Sequence, residues 1–572
     1  MPADNSEIAE LFNRYADLLE IQDANPFRVR AYRNAARVVT GSTRGISELV
    51  AEGRDLDELP GIGKDLAAKI AVIVHTGKLP QLEQLQKRIP RALSALMHLP
   101  GLGPKRVKRL FRELNIRSFE DLKRAARSGK LGALPGFGAK TVAHILASLE
   151  NRSPGPQRFK LADAELIATP LLAYLRKIPG VRRVEIAGSY RRRRDTVGDL
   201  DIVVIGARDS PVMARFVKYD AVATVLSKGT TRTSVQLHNG MQVDLRLMPE
   251  VSYGAALYYF TGSKAHNIAV RKIAVAKGLK INEYGVFRGP KRIAGRSEQD
   301  LFAAVGLPYI PPELREARGE IEAARAGTLP DLISLTDIRG DLHAHTIATD
   351  GHDTLAAMVE AARALGYEYL AITDHSRHVS VAHGLNAKQL LAQMRAIDKL
   401  NNKLKDFHVL TGTEVDILED GSLDLPDSVL MQLNVVVAAL HYNLDLPAAK
   451  QTARILRAFE NRYIHILAHP TTRLINARGE ITANMDKIYV AAAATGVAME
   501  INANPDRLDL DDVHARAAHQ AGCKLAISTD AHTIAGLGCM RLGIDQARRA
   551  WLEASDVLNT MPYSRLLKAL AR

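Results

Sequence analysis

The stretch GSYRRRRDTVGDLDIVVIG, residues 188–206, decides how the front of this chain is read. Asp199 and Asp201 stand two apart and run into the apolar segment Ile202 to Ile205. On a β-strand, positions i and i+2 face the same side, so the two carboxylates converge. Neighbouring carboxylates repel one another and so favour divalent cations. Asp244, in the strand-like run QVDLRLM, supplies a third oxygen ligand. Three such carboxylates suit a two-metal phosphoryl-transfer centre, whose ions sit roughly 3.5–4 Å apart. Upstream, Gly188 and Ser189 form a turn suited to phosphate, and Arg191 to Arg194 supply cations. A bare Asp-x-Asp more often marks an exposed turn. The flanking Gly-Ser and the apolar run weigh against that here.

Working outward, the 572 residues are enough for about three to five domains. With 47% apolar and 24% charged residues, a largely disordered chain is excluded. The start MPADNSEIAE lacks a charged segment leading into an apolar one, and no run reaches the ~18 apolar residues of a membrane span. Cys523 and Cys539 alone support neither a disulfide framework nor a thiolate zinc site. A soluble, cytoplasmic protein with no membrane partner is expected. Residues 1–330 carry 53 Lys and Arg against 34 Asp and Glu, whereas residues 331–572 carry 24 against 29 and hold 13 of the 18 histidines. The basic front points to a polyanion, nucleic acid ahead of membrane, and the acidic, His-rich back points to metal. Two solvated surfaces would be the plainer explanation.

Residues 1–58 show helical spacing in IAELFNRYADLLEIQ and NPFRVRAYRNAARVVTGS. A Pro-Gly-x-Gly turn opening a helix then occurs three times, in LPGIGKDLAAKI from Leu59, LPGLGPKRVKRLF from Leu99 and LPGFGAKTVAHIL from Leu134. The glycine pairs Gly61/Gly63, Gly101/Gly103 and Gly136/Gly138 free backbone N–H groups at helix starts, where a phosphate can approach closely. Lys105, Arg106, Lys108 and Arg109 follow the second turn. One such turn is usually a mere connection; three in a basic region resemble helix-hairpin-helix motifs, which grip DNA phosphates without reading sequence. From about Lys160 the runs RRVEIAGS, DLDIVVIG, MQVDLRLM and LYYFTGS read as strands alternating with helices, and the stretch YIPPELREARGEIEAARAGTLPDL, around residues 310–335 and rich in Pro and charge, places a linker at 316–336.

From Asp337 one design recurs: an apolar run ends in a metal-ligand residue type. The runs are IRGDLHAHT, YEYLAITDH, HVLTGTEV, NVVVAALH, YIHILAH, VAMEINAN and KLAISTDAH. Seven strands separated by helical stretches argue for a parallel barrel with its chemistry at the strand C-termini. His343, His345, Asp350, His375, Glu414, His441, His469, Asp530 and His532 make nine ligand-type residues. One histidine at a strand end is usually a satisfied core residue, but nine at successive strand ends are not read that way. Nitrogen and oxygen donors without thiolate suit manganese or zinc.

Residues 1–320 resemble an X-family DNA polymerase of the DNA polymerase beta type, carried by GS…GDLD and YYFTGSKAHNIAVRKIAVAKGLKINEYG. The resemblance implies that Asp199, Asp201 and Asp244 bind two Mg²⁺ or Mn²⁺ ions. It places Gly188, Ser189, Arg192 and Gly198 on the triphosphate, Tyr259, Phe260 and Gly262 at the sugar, and Asn267 and Arg271 at the minor groove of the nascent pair. Val197 replaces a hydroxyl residue of the family, which removes one triphosphate contact. Lys69 aligns with the family's Schiff-base lysine for 5′-deoxyribose phosphate removal, although Arg28 and Asp65 stand where that pocket has lysines; a phosphate-contacting or helix-face lysine is the alternative. Residues 337–572 resemble the PHP (polymerase and histidinol phosphatase) domain, with all nine ligand positions filled, implying phosphoester hydrolysis by two or three Mn²⁺ or Zn²⁺ ions. The whole chain resembles the bacterial-type PolX family.

The expected architecture is multidomain α/β and α+β. It comprises a helical N-terminal domain (1–90), helix-hairpin-helix fingers (91–155), a nucleotidyltransferase palm (156–250), a small α/β thumb (251–315), the linker, and a distorted (β/α)7 PHP barrel (337–572). The expected function is filling of short gaps in DNA repair from deoxynucleoside triphosphates, with a 3′–5′ exonuclease and the partner a gapped or primer-template DNA, by a monomer. The alternatives are a small-ester phosphoesterase with a DNA-tethering front half, and a non-enzymatic DNA-end scaffold.

Overall fold

The structure, a computed structural model, describes residues 5–22, 24–40, 46–59, 61–86, 93, 96, 102–134, 137–138, 141–142, 145–146, 158–207 and 209–571. The chain forms two compact units, Met1–Gln157 and Arg158–Arg572.

The first unit is helical. Ile8, Phe12, Tyr15 and Leu19 recur every three or four residues along helix Asn5–Ile21, so one face is apolar and buried. Helix Pro26–Thr40 meets it through Tyr32, whose ring stands edge-on to Tyr15 at 4.7 Å and Phe12 at 5.6 Å. The hairpins share one device. The carbonyl of the second glycine accepts two N–H groups of the following turn: Gly63 from Leu66 and Ala67, Gly103 from Arg106 and Val107, Gly138 from Thr141 and Val142. The residue between the glycines (Ile62, Leu102 or Phe137) is buried in the common core. Each turn is thereby anchored from below.

The second unit begins with a two-stranded antiparallel pair, β1 (Phe159–Lys160) and β3 (Thr196–Val197). A five-stranded sheet in the order β2-β4-β7-β6-β5 uses Val181–Ile186, Asp199–Gly206, Gln242–Met248, Arg232–Leu237 and Val222–Lys228. Ile202 to Ile205 of β4 are buried on both faces, each worth about 1.5–3 kcal/mol of transfer free energy, which pins the strand's register. A three-stranded antiparallel sheet follows: β8 (Lys280–Asn282), β9 (Gly285–Arg288) and β10 (Lys291–Ala294).

The C-terminal part is a parallel sheet of seven strands in sequence order: β11 (Gly340–Asp341), β12 (Tyr369–Ile372), β13 (His408–Asp416), β14 (Val435–Ala439), β15 (Ile466–Leu467), β16 (Ala498–Asn502) and β17 (Leu525–Ser528). Beyond its strand ends, Asp530 N–H donates to His343 O and His345 N–H to Ala531 O, which nearly closes the barrel.

Two sequence expectations are corrected. LYYFTGS is not a strand; its first five residues end helix Tyr253–Thr261. Gly254 there packs against the Ser297 backbone so closely that a Cβ would overlap it. The supposed linker 316–336 is folded structure. Helix Glu320–Ala326 buries Ile321 and Ala324 against Leu301 and Phe302, and its Glu320 meets His266 at 2.7 Å. Its charge-rich composition hides an apolar i, i+3 pair and two buried ion pairs, Glu320–His266 and Glu316–Arg549. The palm core also runs into the barrel: Ile475, Leu508 and Leu542 belong to the cluster that packs Val204 and Leu245.

Candidate active sites

The palm site is built at the start of two parallel neighbours. β4 and β7 pair Asp201 directly with Asp244 and Asp199 with Gln242, which brings the third carboxylate beside the first two. Gly188, at φ 62°, lies beneath them; a Cβ there would come within 2.8 Å of Asp201 Oδ2. Asp244 Oδ1 accepts from Ser234 Oγ, and its Oδ2 accepts from Gln242 Nε2 at 3.1 Å. Burial, then the charges of Asp199 and Asp244, push the Asp201 pKa up to about 7; burial and Asp244 likewise raise Asp199. Such crowding of half-buried carboxylates fits divalent cations. The three are looser than the barrel sets described below: among the described residues, only barrel side chains bring three ligand atoms within 4.8 Å of one another.

Ser189 is in the short helix Gly188–Arg191, and Gly198 lies against the Arg158 guanidinium. Arg192 reaches the end of helix Tyr253–Thr261, donating to Thr261 O at 2.5 Å and to Glu316 Oε1 at 3.0 Å. That end presents Tyr259, Phe260 and Gly262, and a Cβ on Gly262 would sit 3.1 Å from Arg192 Nη1. Asn267 Nδ2 donates to Tyr259 O at 2.8 Å, and Arg271 follows one turn later on helix Lys264–Ala276. The structure therefore brings Arg192 and Asn267 against the end of the helix that carries Tyr259 and Phe260.

The barrel gathers all nine expected ligands at the C-terminal ends of its strands. Three overlapping groups form: His345, Asp350, His375 and His532; His343, His345 and Asp530; His375, Glu414 and His441. Glu414 is their hub. Its Oε1 lies 3.0 Å from His469 and 3.3 Å from His441, and its Oε2 lies 2.8, 3.5 and 3.6 Å from His375, His343 and His345. Burial alone would raise the Glu414 pKa, but the imidazoles hold it well below the ordinary range. Burial alone would lower His375 and His441; Glu414, with Asp350 and Asp416 respectively, lifts them to about 10 and about 9. His469 and Asp530 adopt positive φ (27° and 52°), backbone angles that non-glycine residues keep mostly at functional positions. Nitrogen and oxygen donors, shared between overlapping sets around one buried carboxylate, fit a multinuclear divalent centre.

Sequence reasoning missed a supporting layer. Glu500 on β16 meets His343 Nδ1 at 2.8 Å through Oε1, and its Oε2 accepts the His469 N–H at 2.7 Å. Asp416 Oδ1 lies 3.0 Å from His441 Nδ1. Asp374 accepts from the Thr346 backbone N–H and from the Thr346 and Thr349 hydroxyls, which ties down the loop carrying Asp350. Carboxylates behind imidazoles fix the ring tautomer and raise the ligand's basicity. The signal was present as the i, i+2 pairs Glu414/Asp416 and Glu500/Asn502, but their roles need the register of β13 and β16.

In the first unit, Gly101, Gly136 and the Lys105 side chain lie outside the described residues. Gly61, Gly63, Gly103, Gly138 and Arg106 are placed at their turns. Lys69 does not have the depressed pKa that a Schiff-base amine needs. Burial lowers it, but its ion pair with Asp65 and the nearby Tyr32 more than offset this and raise it. The geometry is that of a charged helix-face lysine.

A helix-hairpin-helix domain family matches residues 3–79, a SAM-like helix-hairpin-helix tandem 93–151, the DNA polymerase beta thumb 256–316 and the PHP domain 341–504. The DNA polymerase/3′-5′ exonuclease PolX of Bacillus subtilis (strain 168) is 38% identical over 557 residues, 97% of each chain. DNA polymerase lambda of Arabidopsis thaliana is 26% identical over 348 residues, 54% of this chain and 62% of its own. A probable phosphatase of Thermoanaerobacter sp. (strain X514) is 28% identical over 233 residues, 38% of this chain and 89% of its own. With the polymerase thumb, the hairpins and the PHP barrel in one polypeptide, and a relative aligned nearly end to end, this chain belongs to the PolX family of DNA polymerase/3′-5′ exonucleases.

Proposed function

We propose that this chain fills short gaps in DNA from deoxynucleoside triphosphates at the palm and trims 3′ ends at the barrel. The observation that carries this is the coexistence of two separate acidic centres, Asp199/Asp201/Asp244 on β4 and β7 and the Glu414 hub of the barrel. The palm carboxylates would hold two Mg²⁺ or Mn²⁺ ions, which would supply charge neutralisation for nucleotidyl transfer, and the nine ligand-type residues of the barrel would hold two or three Mn²⁺ or Zn²⁺ ions, which would supply Lewis-acid activation for phosphoester hydrolysis.

The chain's own residues do the positioning. Gly188, Ser189, Arg192 and Gly198 receive the triphosphate, with Arg192 as the charge that meets it. Tyr259, Phe260 and Gly262 bound the sugar, and Asn267 and Arg271 face the nascent pair. Asp244, held by Ser234 and Gln242, is oriented to help activate the primer 3′-hydroxyl. Gly61, Gly63, Gly101, Gly103, Gly136 and Gly138, with Lys105 and Arg106, contact phosphates of gapped or primer-template DNA. No helix among the described residues is long and apolar enough to cross a membrane. A monomer in the cytoplasm completes the proposal, checked by sedimentation and cell fractionation. The small-ester phosphoesterase with an inert front half is not favoured, because the similarity to a polymerase/exonuclease spans both halves.

The test uses a gapped duplex with and without nucleotides, in Mg²⁺ or Mn²⁺. Primer extension with nucleotides and shortening without them are expected. Extension without any shortening would remove the barrel assignment, and shortening without extension the palm assignment.

A further inference from the structure

The loop of four arginines is held mostly from outside the palm. Arg191 is clamped within the polymerase half, donating to both oxygens of Glu298 at 2.9 and 2.6 Å. The next residues are held in part by the barrel. Arg193, at φ 56°, donates from Nε to Asp545 Oδ2 at 2.8 Å and from Nη2 to Glu165 at 2.5 Å. Glu165 is itself bridged by Arg541. Asp195 pairs with Arg473 at 3.1 Å. Arg549, with a fully buried side chain, donates from Nη1 to the main-chain oxygen of Arg192 at 2.6 Å and to Glu316 Oε1 at 3.2 Å, and from Nη2 to Asp512 Oδ2 at 2.7 Å. Arg541, Asp545 and Arg549 all come from one barrel helix, Met540–Arg549.

These contacts are aimed at the triphosphate arginine itself. Arg549 fixes the backbone that carries Arg192, and it shares with Arg192 the single oxygen Glu316 Oε1. An arriving triphosphate draws the Arg192 guanidinium away from Glu316. The carboxylate is then left buried, which is costly unless another cation stays on it. Arg549 is the nearer such cation, at 3.2 Å, with Arg194 at 4.0 Å. Asp545 in turn anchors the side chain of Arg193, whose left-handed backbone a non-glycine residue keeps only when its surroundings impose it. We infer that Asp545 and Arg549 of the hydrolase barrel are positioning residues for the polymerase's triphosphate subsite. The barrel helix is structurally part of the nucleotide site, and the inference rests on the reading of Arg192 as the residue that meets the triphosphate.

The test is single-nucleotide insertion by the full-length chain at saturating gapped DNA, with 3′-end hydrolysis measured on the same preparations. Asp545→Asn keeps volume and removes the charge that faces Arg193, and Arg549→Lys keeps charge and removes the guanidinium fork. Each should raise KM for the nucleotide by about tenfold or more, as expected for a lost hydrogen bond to a charged group, with hydrolysis within twofold of wild type. Arg192→Ala, run in parallel, should raise KM further. A merely structural contact would lower both activities by one factor, through the fraction folded, and leave KM unchanged; that result in either variant would overturn the inference. Should Arg549→Lys fail to fold, Asp545→Asn decides alone. An unchanged KM in Arg192→Ala would instead remove the reading on which the inference rests. An increase in Arg192→Ala without one in Asp545→Asn or Arg549→Lys would remove the inference alone.

Discussion

Asp201 and Glu414 show how one functional group, the carboxylate, serves two purposes through its surroundings. Asp201 is buried beside two other carboxylates, and its pKa is pushed up to about 7; Glu414 is buried among five imidazoles, and its pKa is held down. Asp201→Asn should reduce nucleotide insertion about a thousandfold or more, since a lost metal ligand forfeits several kcal/mol of charge stabilisation, and should leave hydrolysis intact. Insertion within tenfold of wild type at saturating Mg²⁺ would show that Asp201 is not a ligand. Glu500→Gln removes the charge behind His343 and keeps the shape. Hydrolysis or metal affinity should fall about 10- to 100-fold, read by metal titration of the chelated protein. Most of the nine ligand-type residues of the barrel, with Asp199 and Asp201, were legible because they close or open an apolar run. Glu500 and Asp416 were not, since a carboxylate inside such a run gains meaning only from the strand beside it.

At the scale of elements, period and composition spoke unequally. The hairpins were legible as a repeat, and the structure adds that Ile62, Leu102 and Phe137 seat all three turns in one core. If Arg106, Lys108 and Arg109 each meet a phosphate, replacing all three by alanine should shrink the slope of log K against log salt by roughly 0.9 per contact on duplex DNA, equally on unrelated sequences. A slope unchanged in a binding titration between low and physiological salt would place these side chains away from the backbone. Strand and helix were confused at LYYFTGS, where aromatic residues suggest a strand but Gly254 lets the helix approach Ser297. The segment 316–336 was read by the prolines and charges of the stretch around 310–335, while its fold is set by the pairing of its charges with an arginine and a histidine far away in sequence.

Across the whole molecule, buried charge pairs set the response to conditions. His514 lies between Tyr489 Oη at 2.7 Å and Glu480 at 3.2 Å, with Asp511 and Asp509 nearby. Burial would lower its pKa, but Glu480 and the aspartates lift it to about 9. A group whose folded pKa exceeds its unfolded value of about 6.5 stabilises fully below that pH and loses its contribution as pH rises through about 9. Stability should therefore fall between about pH 7 and 10 by up to about 3 kcal/mol, and His514→Gln should flatten that part of the profile in thermal melts. Chelation should abolish hydrolysis, and reloading should restore it with at least two ions per chain by elemental analysis, since three overlapping ligand sets exceed what one ion takes. Full activity at one ion per chain would contradict this. The core shared by palm and barrel through Ile475, Leu508 and Leu542 carries a genetic consequence. A substitution that loosens barrel packing should be pleiotropic, weakening synthesis and trimming together, so a cell's loss of both activities does not require a lesion in each domain.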